Sequence, residues 1–325
     1  MLISIGIRFR ICKILKFRYI NCSSQWWTAI FFKKIMLIRK IVIVCFLVCL
    51  AAIAAMGQER SALFVGISDY PDSSGFKKIN GANDYEIVGK MLDNKGFKTT
   101  TLLNHQATAA NIRNELQNLA TNSAKESYVY IHFSCHGQPF EDKPPFDEDD
   151  HWDESLVSYD AKINYQSGVY EGGNHIIDDE LYSYFTAIRQ KIGENGLLCV
   201  VIDACYSGSG SRDEEDDEGI ERGTRLGFSD SGKYFAPRID RTSNFAIEKI
   251  PGGADIIVLE ACRAYQTSKE VVKNGKHYGS LSYYVTQVLN RHKITNNTDW
   301  ILQVSNLMSN DPALVNQNMV YEVSF

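Results

Sequence analysis

Short apolar runs alternate with amphipathic segments along residues 58–325. Five runs have the length of strands, and several are apolar throughout, as is typical of strands buried on both faces of a parallel sheet. In the other segments, apolar residues recur at spacings of three and four, which is the period of a helix with one buried face. The alternation predicts an α/β fold, a doubly wound, mostly parallel sheet flanked by helices on both faces. The predicted strands are 61–67, 98–103, 127–133, 197–203 and 255–261, and the predicted helices are 82–93, 108–120, 178–192, 280–291 and 299–308.

Charge is distributed unevenly along the chain. Residues 1–57 contain nine Lys and Arg and no Asp or Glu, which leaves residues 58–325 with 25 basic and 39 acidic side chains. An acidic body of this kind argues against nucleic acid as the main partner, because binding to phosphates depends on basic side chains. It suits basic substrates or divalent cations.

The N-terminal extension, residues 1–57, has the order of a secretory signal. Two basic residues precede an uncharged run, 41–55, that ends in small residues and is shorter than the roughly 20 residues of a membrane-spanning helix. Met36 begins a complete signal of this kind, so we predict it to be the true start. We expect cleavage before Gln58, which leaves a secreted or periplasmic domain, 58–325, without a stable membrane anchor. An uncleaved anchor helix and a lipoprotein anchor at Cys49 are the alternatives.

Polar motifs stand at the ends of two predicted strands. SCHG follows the strand at 127–133, and DACYSG closes the strand at 197–203. In doubly wound sheets the site lies at the carboxyl ends of strands, where a cysteine and a histidine can form a nucleophile–base pair. His136 would take the thiol proton of Cys205 and later protonate the leaving amine. The N–H groups of Gly137 and Cys205 would form an oxyanion hole.

The segments YIHFSCHG and VVIDACYSG resemble the two active-site motifs of caspase-like cysteine peptidases, closest to metacaspases and their bacterial relatives. The resemblance covers roughly residues 60–325 in the same order and includes LEACRAYQTSKE and HYGSLSYYV. It implies a cysteine-type endopeptidase with a His136–Cys205 dyad and no cofactor in the chemistry, and a monomer. A clostripain- or legumain-like peptidase and a non-catalytic caspase-like binding module are the alternatives.

The same resemblance implies cleavage after arginine or lysine, because metacaspases bind these residues in an acidic pocket. Asp84 and Asp203 match pocket aspartates, and Ser134 matches a polar wall. Glu270 stands where caspases that cut after Asp carry a pocket arginine. Carboxylates around a small pocket favour arginine through bidentate contacts. Lys78, near another pocket arginine of those caspases, leaves cleavage after Asp as an alternative.

An acidic segment after the histidine motif suggests calcium. Residues 147–154 contain six carboxylates, and Ca²⁺ takes six to eight oxygen ligands. A solvated acidic loop is the alternative. The resemblance implies that metacaspase calcium ligands correspond here to Asp153, Asp178, Asp179 and, approximately, Asp213.

The resemblance allows self-processing at arginines in the long polar segment 207–250. Arg212, Arg222 and Arg225 lie there beside acidic and glycine residues. A peptidase that cuts after arginine can cut its own chain in such a segment. A structural role for the sequence RGTR is the alternative.

Overall fold

The structure is a computed structural model that describes residues 33–43, 58–144, 151–206, 220–224, 226–232, 239–242 and 244–325. The chain divides into two units between Gly57 and Gln58. Residues 33–43 form a helix of the first unit. Within the described ranges, no helix has both the length and the apolar character that crossing a membrane requires.

The described part of the second unit contains twelve strands and five α-helices. The helices are α1 (Tyr85–Asn94), α2 (Ala109–Asn122), α3 (Asp178–Ile192), α4 (Ser280–Leu289) and α5 (Asp299–Ser309). The strands are β1 (Arg60–Gly66), β2 (Lys98–Leu103), β3 (Tyr128–Ser134), β4 (Gly137–Glu141), β5 (Trp152–Val157), β6 (His175–Ile177), β7 (Leu197–Asp203), β8 (Asn244–Ala246), β9 (Asp255–Glu260), β10 (Glu270–Lys273), β11 (Lys276–Gly279) and β12 (Val320–Val323).

Seven strands form the main sheet in the order β2-β1-β3-β7-β9-β12-β8. The first five strands in this order are parallel, β12 runs antiparallel to β9, and β8 is parallel to β12. The five parallel strands are the five predicted from the sequence, each displaced by no more than one residue. The predicted α/β class with a mostly parallel sheet is therefore confirmed.

Helices cover both faces of the sheet, because its central strands are apolar on both sides. Along β7, Val200 joins a core with α2 and α3, and Val201 joins a second core with α1, α4 and α5. On β3, Ile131 belongs to the first of these cores and Tyr130 to the second. Side chains on successive strand residues point to opposite faces, so each apolar run contributes to two cores at once.

Smaller elements surround the carboxyl end of the sheet. The antiparallel strands β4, β5 and β6 form a separate sheet, and β10 pairs with β11 in a hairpin. The predicted helix 82–93 begins as a 3₁₀ turn, Gly81–Asp84, and becomes α-helical only at Tyr85. These short elements follow no strong periodicity, and they form the walls of the site described next.

Candidate active site

His136 and Cys205 emerge side by side from the main sheet. Ser134 and Asp203, the last residues of β3 and β7, are partners in the parallel register, and each motif residue lies two positions further on. Both side chains are buried, at 3% and 0% exposure. The register of two adjacent parallel strands therefore brings the two motifs to one point.

The imidazole of His136 is held from three directions. Its Nε2 lies 2.8 Å from the carbonyl oxygen of Lys77, and the rings of Tyr70 and Phe76 pack at 5.1 and 5.6 Å from it. A carbonyl only accepts hydrogen bonds, so Nε2 carries the proton and Nδ1 is the basic nitrogen. Nδ1 is buried and makes no hydrogen bond with any described residue. This is the arrangement that a general base requires.

Burial sets the protonation state of His136. Removal from water lowers the pKa of its imidazole to about 4, and the nearby Arg222 charge adds to the fall. The carbonyls of Lys77 and Arg222 oppose the fall by favouring the protonated ring. The imidazole is therefore neutral at pH 7 and able to accept a proton.

The Cys205 thiol is turned toward another part of the site. It donates to the carbonyl of Gln266 at 2.9 Å, and the thiol of Cys262 lies 3.4 Å from the same oxygen. The contact with Cys205, together with burial, raises the pKa of Cys262 well above its usual range. Burial also raises the pKa of Cys135 to about 12, so Cys135 stays protonated beside His136.

The two predicted oxyanion donors converge on a single oxygen. The backbone N–H of Cys205 and that of Gly137 donate to the carbonyl of Arg222, at 3.0 and 3.2 Å. A Cβ at position 137 would meet the carbonyl of Cys205, so the strand can pass this close only with glycine. The geometry is that of an oxyanion hole with a peptide carbonyl in place.

All four predicted pocket residues surround one guanidinium, that of Arg222. Its Nη1 lies 2.9 Å from Asp84 Oδ2, 2.5 Å from Ser134 Oγ and 3.7 Å from Asp203 Oδ1. Its Nε and Nη2 donate to Glu270 Oε1 at 3.2 and 3.1 Å. All five side chains are buried, Arg222 completely.

Neighbouring groups fix the carboxylate of Asp203. The Oδ2 atom accepts from the N–H and the hydroxyl of Ser282, both at 2.7 Å, and Oδ1 accepts from the hydroxyl of Ser268 at 3.2 Å. Ser282 in turn contacts His132, whose other nitrogen contacts Tyr130. A buried chain of hydrogen bonds thus holds this side of the pocket in place.

The other two carboxylates are held by backbone and amide groups. Asp84 accepts from the N–H of Gly279 at 2.9 Å, and Glu270 accepts from the N–H and the side-chain amide of Asn80, both at 2.7 Å. A Cβ on Gly279 would meet both the Asp203 carboxylate and the Arg222 guanidinium, so this glycine makes room for the long side chain.

The electrostatics of the pocket depend on its cation. The three carboxylates raise the pKa of Arg222 above its ordinary value, although burial alone would lower it. Burial raises the pKa of Asp84 from its ordinary value, and Arg222 opposes that rise. An empty pocket would hold several buried carboxylates with no cation, which is unfavourable in a low dielectric. The site is therefore suited to bind a guanidinium.

Two sequence alternatives can be compared with these positions. Lys78 is about two-thirds exposed and pairs with Asp69 at 3.3 Å, so it is a surface residue and not part of the pocket wall. Asp84 lies at the start of a helix but makes no capping hydrogen bond, since its carboxylate is directed to Arg222 and Gly279. The sequence did not identify Ser268, Ser282 and Asn80, although two of them lie within the quoted motifs.

The proposed calcium ligands are distributed over several elements. Asp153 is buried in β5, whereas Asp178 and Asp179 lie in the first turn of α3 and line a cavity of about 610 Å³ with Glu154. Among the described residues, no group of three or more carboxylates, histidines or cysteines is placed to hold a metal ion. Asp213 lies outside the described residues.

Comparison with known proteins identifies the family. A family model described as the caspase domain, of the C14 peptidases, matches residues 59–322. The chain is 24% identical over 281 residues to Metacaspase-1 of Lodderomyces elongisporus, a match covering 74% of this chain and 60% of that protein. It is 22% identical over 259 residues to Metacaspase-1 of Candida albicans, covering 70% and 54%. The chain thus spans less than two thirds of the length of either relative.

A solved structure supports the same fold. The structure of protein GSU0716 from Geobacter sulfurreducens superposes with a TM-score of 0.54 at 18% identity, covering 82% of this chain and 93% of the other. The family match extends over almost the whole second unit, and the Cys205 and His136 motifs both fall inside it. The chain therefore belongs to the caspase domain family of cysteine peptidases.

Proposed function

We propose that the protein is a cysteine endopeptidase that cleaves after arginine, and less efficiently after lysine, with Cys205 as nucleophile and His136 as base. The observation that carries this proposal is the binding of the Arg222 guanidinium by Asp84, Asp203 and Glu270. The chain itself thus provides a fitted ligand for the pocket next to the dyad.

The chemistry would follow from the positions of the two motif residues. His136 Nδ1 takes the thiol proton of Cys205, and the thiolate attacks the carbonyl carbon of the bound arginine. The N–H groups of Gly137 and Cys205 stabilise the oxyanion that forms. His136 then gives the proton to the leaving amine, and a water molecule hydrolyses the thioester.

The pocket should distinguish arginine from lysine. Asp84 and Glu270 contact different nitrogens of the same guanidinium, so both carboxylates are engaged at once. A lysine ammonium is a compact charge on an unbranched chain and cannot present separate donors in this fixed fork. The lysine complex would leave part of the buried negative charge without a partner.

A matched panel of fluorogenic peptides tests this proposal. The peptides share one sequence and end in Arg, Lys, Gln or Asp before the reporter group. We expect the purified full chain to give kcat/KM values for Arg about 10- to 100-fold above Lys, with Gln and Asp lower still. Preference for Asp would contradict the acidic pocket. If the folded protein cleaved no peptide and bound no thiol-directed active-site probe, the non-catalytic binding module would be favoured.

We further propose that calcium raises this activity through Asp153, Asp178, Asp179 and Asp213. The support is the resemblance to the metacaspase ligand positions and the preference of Ca²⁺ for carboxylate oxygens. We expect arginine-peptide turnover to fall at least tenfold in chelator and to recover with added Ca²⁺ but not Mg²⁺. Asp179→Asn should remove the response and leave the chelated rate unchanged. Equal rates with and without chelator would favour a solvated acidic loop.

Export as a monomer is also proposed, from the signal-like order of residues 36–57 and from the resemblance to metacaspases. Protein exported by a bacterial host should begin close to Gln58 by N-terminal sequencing and should elute as a single chain. A product that retained residues 36–57 would favour the uncleaved anchor.

A further inference from the structure

His132 is a buried histidine of β3 that takes no part in the chemistry proposed above. Its imidazole has no exposed surface and stacks on the ring of Phe64, its register partner on β1, at 5.1 Å. Each ring nitrogen contacts a hydroxyl group: Nδ1 lies 3.1 Å from the oxygen of Tyr130, and Nε2 lies 2.9 Å from that of Ser282. Ser282 in turn binds Asp203, a wall of the arginine pocket. The imidazole is therefore connected to the pocket without lining it.

The pocket end of this chain of hydrogen bonds fixes its direction. The hydroxyl of Ser282 has a single proton and donates it to Asp203 Oδ2 at 2.7 Å, because a carboxylate only accepts. Toward His132 the same oxygen can then only accept, so Nε2 of the ring carries the proton. A neutral ring accepts at its other nitrogen, Nδ1, from the hydroxyl of Tyr130. All three donors therefore point one way, from Tyr130 toward the arginine pocket.

The opposite direction would leave polar groups unpaired. If Ser282 donated to His132, the ring proton would lie on Nδ1 and Tyr130 would have to accept it. The hydroxyl of Tyr130 makes no other hydrogen bond with a described residue, so its own proton would have no acceptor there. A buried donor without an acceptor is costly, and Ser282 would also turn a lone pair toward the Asp203 carboxylate. Only the direction toward the pocket satisfies every group in the chain.

The chain carries no positive charge. Burial lowers the pKa of the His132 imidazole to about 3, and Asp203 only partly opposes this fall, so the ring is neutral at pH 7. Burial likewise raises the pKa of Tyr130 well above its usual range, so this hydroxyl keeps its proton. A histidine cation here would partly cancel the charge of Asp203. Neutral donors stabilise the carboxylate by hydrogen bonding and leave its charge for a substrate cation.

From this geometry we propose that His132 is a positioning residue for arginine specificity: through Ser282 it holds the Asp203 carboxylate toward the guanidinium, as the centre of a one-way chain of neutral donors. The inference rests on the arginine-specific peptidase proposed above. Asp203 binds Ser282 through Oδ2, and its other oxygen, Oδ1, faces the guanidinium in the pocket at 3.7 Å. Holding Oδ2 therefore directs Oδ1 at the substrate. His132 itself touches neither the pocket cation nor the dyad.

Steady-state kinetics of the full chain on two matched peptides, which end in Arg or Gln, test this role. The readout is the selectivity, which is kcat/KM for the Arg peptide divided by kcat/KM for the Gln peptide, because any effect common to both peptides cancels. His132→Phe keeps a planar ring in the core but removes both nitrogens, and it should lower the selectivity about 3- to 10-fold. His132→Gln offers Ser282 an amide donor again and should stay within about twofold of wild type.

A double-mutant cycle separates this role from a general effect on folding. Ser282→Ala removes the hydroxyl that contacts Asp203 and keeps the backbone N–H, so it should lower the selectivity by about tenfold. The double variant, His132→Phe with Ser282→Ala, should fall no further, because both changes act through the same hydroxyl. Independent effects would multiply. If His132→Phe does not fold, Tyr130→Phe replaces it in the cycle and should lower the selectivity about two- to threefold.

His175→Phe is the matched control. His175 is also a buried histidine whose Nδ1 contacts a tyrosine hydroxyl, that of Tyr170 at 3.0 Å, but its Nε2 contacts Gln138 and not a pocket group. The same substitution there should leave the selectivity unchanged.

Three results would overturn the inference. Arginine preference in wild type, together with unchanged selectivity in a folded His132→Phe, would overturn it alone, as would factors that multiply in the double variant. Long-range ¹H–¹⁵N correlation spectra should show the Nε2-protonated tautomer of His132 at pH 7, and a proton on Nδ1 would contradict the direction of the chain. A folded wild type without arginine preference would overturn the proposed function and this inference with it.

Discussion

Replacement of Cys205 by alanine is expected to reduce turnover of arginine peptides by at least about 10³-fold, and His136→Ala by a similar factor. In the proposed mechanism, the thiol is the nucleophile that attacks the peptide bond. The imidazole supplies the base, and the pair acts as a unit, so the double variant should lose little more than either single one. Steady-state kinetics on the arginine peptide, with circular dichroism to verify folding, measure both effects.

Cys262→Ala is the matched control for the nucleophile. Its thiol is buried and contacts the same Gln266 carbonyl, but it lies two residues beyond β9, and its N–H is not one of the two that donate to the Arg222 carbonyl. It should retain more than about a third of the wild-type rate, because in the proposed mechanism this thiol makes no interaction with the transition state. If Cys262→Ala were as inactive as Cys205→Ala, the assignment of Cys205 as the nucleophile would be contradicted.

His136 and Cys205 could be identified from sequence because both motifs are local. Each lies directly after an apolar strand, and parallel strands in one sheet end at the same edge, so their meeting follows from topology alone. Asp203 and Ser134 share this origin, being register partners at the last position of their strands. Asp84 and Glu270 needed the resemblance to a family, since no periodicity connects the elements that carry them.

The role of Arg222 could not be predicted in the same way. Its main partners, Asp84 and Glu270, are 138 and 48 residues distant in sequence, and the segment that carries it has no regular periodicity. The sequence raised three arginines as possible cut sites and gave no reason to choose among them. Of the three, the structure describes Arg222, which is held by backbone pairing with residues 268–270 and by two N–H donors. Contacts of this kind depend on where a loop returns to the fold, which local sequence does not encode.

The serines that line the pocket could not be predicted from local sequence either. Ser282 lies at the start of α4 and Ser268 precedes β10, and each binds the Asp203 carboxylate. Small hydroxyl residues are common at helix starts and turns for local reasons, so their type alone does not indicate a binding role. Only the assembled structure shows that both donate to one buried acid.

Asp84→Asn is expected to lower kcat/KM for arginine peptides by about 10²- to 10³-fold. The kcat/KM for peptides ending in Gln should change by less than about tenfold, because their side chain carries no charge for Asp84 to bind. The substitution keeps the size of the side chain but removes the charge that faces the guanidinium at 2.9 Å. Breaking a buried pair by neutralising one partner costs about 3–5 kcal/mol, and each 1.4 kcal/mol is a factor of ten. The measurement is the ratio of kcat/KM for the arginine peptide to kcat/KM for the Gln peptide, compared between Asp84→Asn and wild type.

The ratio distinguishes a specificity residue from a structural one. If Asp84 only stabilised the start of the helix, Asp84→Asn would lower kcat/KM for both peptides by the same factor and would reduce thermal stability. Glu86→Gln is the matched control, since it removes a carboxylate two residues away that is exposed and pairs with Lys276 on the surface. Exposed pairs contribute little, so this variant should keep the wild-type preference. Loss of arginine selectivity in Asp84→Asn but not in Glu86→Gln would place the specificity of the enzyme in the buried carboxylates that now hold Arg222.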